Sequence, residues 1–182
     1  AQVIFETLNA RGEPLLPADL LRNHIFLRAA RQGESQERLY TTHWARFDDP
    51  FWRVVVKQGR LLRPRSDLFL QHYLASRRTV DIPIKHLFVE YKYWIEKEAP
   101  FKTVDEELSS LMRQSEHFRR ILEPAKADPL YSLSTFVDAF DIRTCYPLLL
   151  AMLDADLSAE EWAKVSRILE SYLLRRAVCG RS

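Results

Sequence analysis

Two residues near the start of the chain have side chains and a spacing suited to ligand binding. Phe5 and Asn9 are four positions apart, so both would project from one face of a helix. An asparagine amide donates and accepts hydrogen bonds, so Asn9 could hold a base, ribose or phosphate while Phe5 forms one wall of the pocket. Spacing alone favours a simpler alternative, in which Asn9 marks a helix end and Phe5 belongs to the core.

A second candidate site is the densest basic run of the chain, between residues 56 and 65. Its cations are Lys57, Arg60, Arg63 and Arg65. We expect this run to be a loop between two helices, from which the cations could contact a DNA phosphate backbone without reading its sequence. The alternative is a solvated connection whose arginines pair with the acidic residues Asp48, Asp49 and Asp67.

The residue types that hold metals or perform nucleophilic catalysis show no recognisable pattern. The five histidines form neither an HxH nor an HExxH nor an HNH motif, and Cys145 and Cys179 are far apart without a CxxC pair. A GxSxG elbow is also missing from the sequence. We therefore expect no catalytic residue, no metal site and reduced thiols.

Composition favours a globular protein in the cytoplasm. The chain has 182 residues, 47% of them hydrophobic, which is enough for a substantial core. Its longest apolar runs are far shorter than a membrane span, and its first residues do not resemble a signal peptide. The net charge is only +2, but the first 80 residues are net basic and their cations are almost all arginine, which is compatible with nucleic-acid contact.

The elements that must position these residues are predicted to be helices. With four glycines in the chain and no Asn-Gly or Asp-Gly hairpin turn, strand signals are weak. The sequence predicts an all-α, multi-helix bundle-like single domain with no substantial sheet. We expect helices at roughly 1–10, 17–32, 34–47, 50–57, 64–78, 83–98, 103–122, 129–140, 144–154 and 158–177.

Capping residues and apolar stripes support the longest of these helices. Thr103 with Glu106, and Ser158 with Glu161, form capping-box patterns. The helix at 17–32 begins after Leu16, which cannot cap it with its side chain. The predicted core stripe of the last helix consists of Trp162, Val165, Ile168, Leu169, Tyr172 and Leu173.

Both ends of the chain resemble one protein family. The FxxxN spacing of Phe5 and Asn9, with its continuation through Gly12 and Pro14 to Asp19, resembles a motif of the GmrSD-type restriction endonucleases. The segment 170–180, which reads ESYLLRRAVCG, is similar to the segment that precedes the nuclease part of those proteins. These are bacterial defence proteins with an N-terminal ParB/Srx-like domain that handles nucleotide.

The resemblance implies that residues 1–16 are the tail of an upstream nucleotide-handling domain. Residues 17–182 would be a helical domain that links it to a missing C-terminal nuclease, coupling nucleotide binding and hydrolysis to DNA cleavage. Phe5 and Asn9 would then bind nucleotide, and Arg175 and Arg176 would make interdomain contacts. The segment 123–128 is too short for a domain linker.

The family's Asp-Gly-Gln-Gln-Arg run and its His-Asn-His motif are absent from this sequence. The resemblance therefore implies a nucleoside triphosphate and a divalent metal for the parent protein but no cofactor for this segment, which is expected to be non-catalytic. The implied partners are DNA and the neighbouring domains, and not a membrane. The alternative function is a helical scaffold or protein-interaction module with no nucleic-acid role.

Overall fold

Helices dominate the structure, which confirms the predicted all-α class. It is a computed structural model that describes residues 16–58, 61–155 and 157–179. The predicted helix at 1–10, with Phe5 and Asn9, lies outside these residues. The chain divides into two compact units, Ala1–Arg113 and Gln114–Ser182, and the boundary falls inside a continuous helix.

The first unit consists of helices and one β-hairpin. In chain order its elements are α1 (Pro17–Arg31), α2 (Gln36–Thr42), a 3-10 turn (Trp44–Asp48), α3 (Pro50–Arg53), β1 (Val55–Gln58), β2 (Leu61–Pro64), α4 (Arg65–Arg78), a 3-10 turn (Ile84–His86), α5 (Leu87–Tyr93), a π-helical turn (Trp94–Glu98) and the first part of α6 (Val104–Leu122).

The core of the first unit contains a chain of aromatic rings. Phe47 stacks on Phe69 at a centroid distance of 5.7 Å, and Trp52 lies 5.4 Å from the same ring. Tyr73, one turn further along α4, is 6.0 Å from Phe69 and 5.9 Å from Trp94. Such pairs each contribute about 0.5–1.5 kcal/mol beyond the burial of their surface, so they fix α4 among its neighbours.

Two helices of the first unit are capped by acidic side chains from distant parts of the chain. Leu16 offers no side-chain cap to α1, and the N–H of Ala18 donates instead to Asp67 Oδ1 at 3.0 Å. At the start of α6, Glu34 accepts from the N–H groups of Val104 (2.7 Å) and Asp105 (3.1 Å). We call Asp67 and Glu34 the tertiary caps, because each satisfies otherwise unpaired helix donors from another element.

Of the two predicted capping boxes, the one at Ser158 forms completely and the one at Thr103 forms in part. Ser158 and Glu161 form a complete capping box. At α6, Thr103 Oγ1 accepts from the N–H of Glu106 at 3.1 Å, but the Glu106 carboxylate accepts from the N–H of Lys102 at 2.8 Å. The reciprocal bond of a capping box is therefore displaced by one residue.

The helix predicted over 50–57 is wrong beyond Arg53, and so is the loop predicted for the basic run. β1 and β2 form an antiparallel hairpin with Val55 opposite Pro64 and Lys57 opposite Leu62. The valines of β1 are β-branched, which favours the pleated strand over the helix. Among the described residues this hairpin is the only sheet.

Among its described residues, all the regular elements of the second unit are helices. After the last part of α6 it contains α7 (Tyr131–Ala139), a 3-10 turn (Arg143–Cys145), α8 (Tyr146–Asp154) and α9 (Ala159–Val178). The rings of Phe118 and Tyr146 meet edge to face at a centroid distance of 5.7 Å. Trp162, near the start of α9, is buried. Ile168 and Tyr172 were predicted to be core, but 58% and 55% of their surfaces are exposed.

Candidate functional site

The outward face of the β-hairpin combines one cation with exposed apolar side chains. Since successive residues of a strand alternate between faces, the observed register places Val55, Lys57 and Leu62 on the same face. Val55 is 57% exposed and Leu62 is 69% exposed, and Lys57 is exposed as well. This face is therefore accessible to a partner that has both apolar and anionic groups.

Arg63 lies on the opposite face of the hairpin and is half-buried. Its Nε is buried and makes no hydrogen bond. Burial raises the pKa of Asp67 to about 6 from its usual 3.8. The hydrogen bond from Ala18 and the positive charge of Arg63 both act against this rise. Asp19 opposes Arg63 by raising the same pKa. Arg63 therefore compensates part of the cost of burying Asp67.

Arg65 is also only half-exposed. It is the first residue of α4, and its guanidinium carbon lies 4.4 Å from the centroid of the Phe51 ring, within cation–π distance. Arg60 lies outside the described residues. The structure therefore does not gather Lys57, Arg63 and Arg65 into one exposed patch, because Lys57 is exposed whereas Arg63 and Arg65 are half-buried.

Arg175 and Arg176 lie in the last turns of α9, where both side chains are exposed. Arg175 donates to the Ser171 carbonyl at 3.2 Å and to Ser171 Oγ at 2.6 Å. Arg176 lies with its Nη1 3.4 Å from the hydroxyl oxygen of Tyr172. Both side chains are therefore exposed and make contacts one turn back along α9.

A buried ionic network crosses the first unit, and the sequence did not reveal it. Glu107 is completely buried, and its carboxylate accepts from Arg28 Nη1 at 2.5 Å and from the Tyr91 hydroxyl at 2.7 Å. Burial raises the pKa of Glu107, and the Arg28 charge opposes that rise. Because the carboxylate is inaccessible, its role is to join α1, α5 and α6. In the sequence, Glu107 is one of three acidic residues in the first turn of α6, a pattern that indicates only a helix start.

A histidine–aspartate pair joins α2 to α6. His43 Nε2 lies 3.1 Å from Asp105 Oδ1, and Arg38 Nη1 contacts the same oxygen at 3.0 Å. These hydrogen bonds, that of His43 first, lower the pKa of Asp105. His43 is buried, so the pair anchors the end of α2 and presents no accessible base.

Within residues 16–58, 61–155 and 157–179, no group of three or more His, Cys, Asp or Glu residues is arranged to hold a metal ion. Over the same residues, no helix has the length and apolar character needed to cross a bilayer.

Comparisons of the chain with protein-family models, with curated proteins and with solved structures found no match. The GmrSD-type resemblance therefore stays a prediction that rests on the sequence motifs at the two ends of the chain.

Proposed function

We propose that this chain is the non-catalytic helical segment of a GmrSD-type restriction protein, and that its β-hairpin contacts the DNA backbone. The motif around Phe5 and Asn9 and the segment 170–180 support the family. In this proposal the segment joins a nucleotide-handling domain to a nuclease and transmits the nucleotide state between them.

The exposed hairpin is the observation that carries the DNA contact. A two-stranded ribbon fits the DNA major groove, which is about 12 Å wide. Lys57 is exposed on the outward face of the ribbon and would contact one phosphate strand. Arg63, half-buried on the opposite face, would contact the other strand only by moving away from Asp67. Leu62, 69% exposed on the outward face, would pack against sugars or base edges.

The same geometry offers a route for coupling. Arg63 is electrostatically linked to Asp67, and Asp67 caps the start of α1. In the chain, α1 follows directly after residues 1–16, the predicted tail of the nucleotide-handling domain. A phosphate that draws Arg63 away from Asp67 would leave that carboxylate with less compensation, which would weaken its attachment of α1. Binding at the hairpin would thus loosen the start of α1, which follows the predicted tail of the upstream domain.

The experiment measures duplex binding by the full chain. A labelled 24-base-pair duplex is titrated at several salt concentrations with the unmodified chain, with Lys57→Ala and with Lys85→Ala as a matched control, since Lys85 is equally an exposed lysine of the first unit. Loss of one phosphate contact should weaken binding similarly for all sequences and flatten the plot of log affinity against log salt by about 0.9. Lys85→Ala should change neither.

The scaffold alternative is favoured by a separate observation, the partial burial of Arg63 and Arg65. Arg63 acts on Asp67 and Arg65 lies over Phe51. These partners within the chain explain the positions of both arginines without a DNA contact. If Lys57→Ala leaves affinity and salt slope unchanged, or if the unmodified chain fails to bind duplex at low salt, the DNA contact is refuted and the scaffold role is preferred.

A further inference from the structure

Helix α9 exposes a cationic face with apolar side chains at its centre. Ile168 and Tyr172 are four residues apart and therefore adjacent on the helix surface, and more than half of each side chain is exposed. The exposed residues around them are Lys164, Arg167, Arg175 and Arg176. We call these six residues the α9 face; all six line an open groove along the helix.

The acidic residues of α9 lie at its start or on its packed side. Glu160 and Glu161 are in the first turn, where Glu161 forms the capping box with Ser158. Glu170 is half-buried and accepts a hydrogen bond from Ser132 Oγ of α7 at 3.1 Å, so it belongs to the side of α9 that packs within the second unit. The α9 face itself contains four exposed cations.

Two of the cations are held in place before any partner binds. Arg167 Nε donates to the Ala163 carbonyl at 3.2 Å, and Arg175 donates to the carbonyl and hydroxyl of Ser171. Restraining a long side chain in the free protein lowers the entropy lost on binding. An apolar centre surrounded by ordered arginines is the usual composition of a protein interface, which is enriched in aromatic residues and arginine.

We propose that the α9 face binds an acidic amphipathic helix of a protein partner. The partner helix would lay an apolar stripe over Ile168 and Tyr172, and its flanking aspartates or glutamates would pair with the surrounding cations. This inference concerns the second unit alone and is independent of the DNA contact proposed for the hairpin.

Three other occupants fit the observations less well. A nucleic acid would pair with the cations but offers Ile168 only sugars and base edges, whereas the apolar stripe of a partner helix covers Ile168 and Tyr172 together. An anionic membrane is bound by helices that insert a large apolar face, whereas the apolar side of α9 around Trp162 is buried inside its own unit. A second copy would bring four cations against four cations, which repel.

The test uses the full chain and a synthetic acidic helix. The probe is a fluorescent 21-residue peptide with leucine at every third or fourth position and glutamate beside each leucine; the control peptide replaces every glutamate with glutamine. We expect saturable binding of the glutamate peptide and at least tenfold weaker binding of the glutamine peptide. Because this comparison leaves the protein unchanged, a folding defect cannot mimic the result.

Variants of the chain then locate the site. Tyr172→Ala and Arg175→Glu should each weaken peptide binding about tenfold or more, while Lys126→Glu, which reverses an exposed charge elsewhere in the second unit, should have little effect. Circular dichroism verifies that each variant is folded.

The inference is overturned if the glutamate peptide shows no saturable binding, or if it binds Tyr172→Ala and Arg175→Glu as tightly as the unmodified chain. It is also overturned if an oligonucleotide, or a vesicle containing 30% phosphatidylserine, requires the α9 face and binds it more tightly than the peptide does. A dimer in sedimentation that Arg175→Glu dissociates would assign the face to a second copy.

Discussion

Asp67 provides the sharpest prediction, because a completely buried carboxylate should leave a signature in stability against pH. Asp67→Asn removes the ionisable group while retaining an oxygen that can accept from the N–H of Ala18. In the native chain the pKa of Asp67 is about 6, raised by burial from its usual 3.8. At about 1.4 kcal/mol per pKa unit, this difference corresponds to about 3 kcal/mol.

The sign follows from the number of bound protons. Between about pH 4 and pH 6 the native chain retains a proton on Asp67 that the unfolded chain has lost, so the free energy of unfolding falls as the pH rises through this window. Above pH 6 both states are ionised and the contribution is level. Subtracting the free energy of unfolding of Asp67→Asn from that of the unmodified chain isolates this contribution from other titrating groups.

The assay is urea unfolding at half-unit intervals from pH 4 to pH 7.5, with Asp81→Asn as the control because Asp81 is an exposed aspartate of the same unit. The difference for Asp67→Asn should decrease by about 3 kcal/mol across the window, whereas that for Asp81→Asn should stay within about 0.5 kcal/mol. A difference that is constant, or that increases with pH, would refute the assignment of a raised pKa to Asp67.

Two further predictions concern the other buried carboxylates and caps of the first unit. Arg28→Met should destabilise the chain by about 3–5 kcal/mol at pH 7 because Glu107 is left buried without its cation. Adding Glu107→Gln should restore much of this loss in urea unfolding, since glutamine can still accept from Tyr91; no recovery would contradict the electrostatic explanation. Glu34→Ala should cost about 1–2 kcal/mol and speed amide exchange at Val104, and unchanged exchange there would show that the cap is dispensable.

The longest helices could be predicted because their start signals are local. Ser158 and Glu161 are three residues apart, and the apolar positions of α6 recur at helical spacing, so a short window of sequence contains the information. The structure buries Leu108 and Leu111 as that spacing predicts.

The hairpin is hard to predict because its strand pattern is short and is flanked by helical segments. Val54 to Val56 form a β-branched run, and Gly59 follows in the sequence. Ile168 and Tyr172 were placed in the core because helical spacing fixes which residues share a face and not how wide the buried face is. Packing with α7 contributes to that width, and these contacts are not visible in a linear sequence.

The candidate site was predicted less completely than the fold. Sequence locates cations but not their partners, so it could not show that Arg63 compensates Asp67 or that Arg65 lies over Phe51. Glu107 looked like an ordinary first-turn carboxylate for the same reason, since its partner Arg28 is 79 residues away.

The tertiary caps also bear on the order in which the chain folds. The acceptor for the N–H of Ala18 is Asp67, 49 residues later in the chain. The acceptor for the N–H of Val104 is Glu34, 70 residues earlier. Closing loops of that length costs entropy before the hydrogen bond repays it. In a chain emerging from the ribosome, the N–H of Ala18 therefore cannot pair with Asp67 until the start of α4 has been made, so this cap of α1 forms only as the unit assembles.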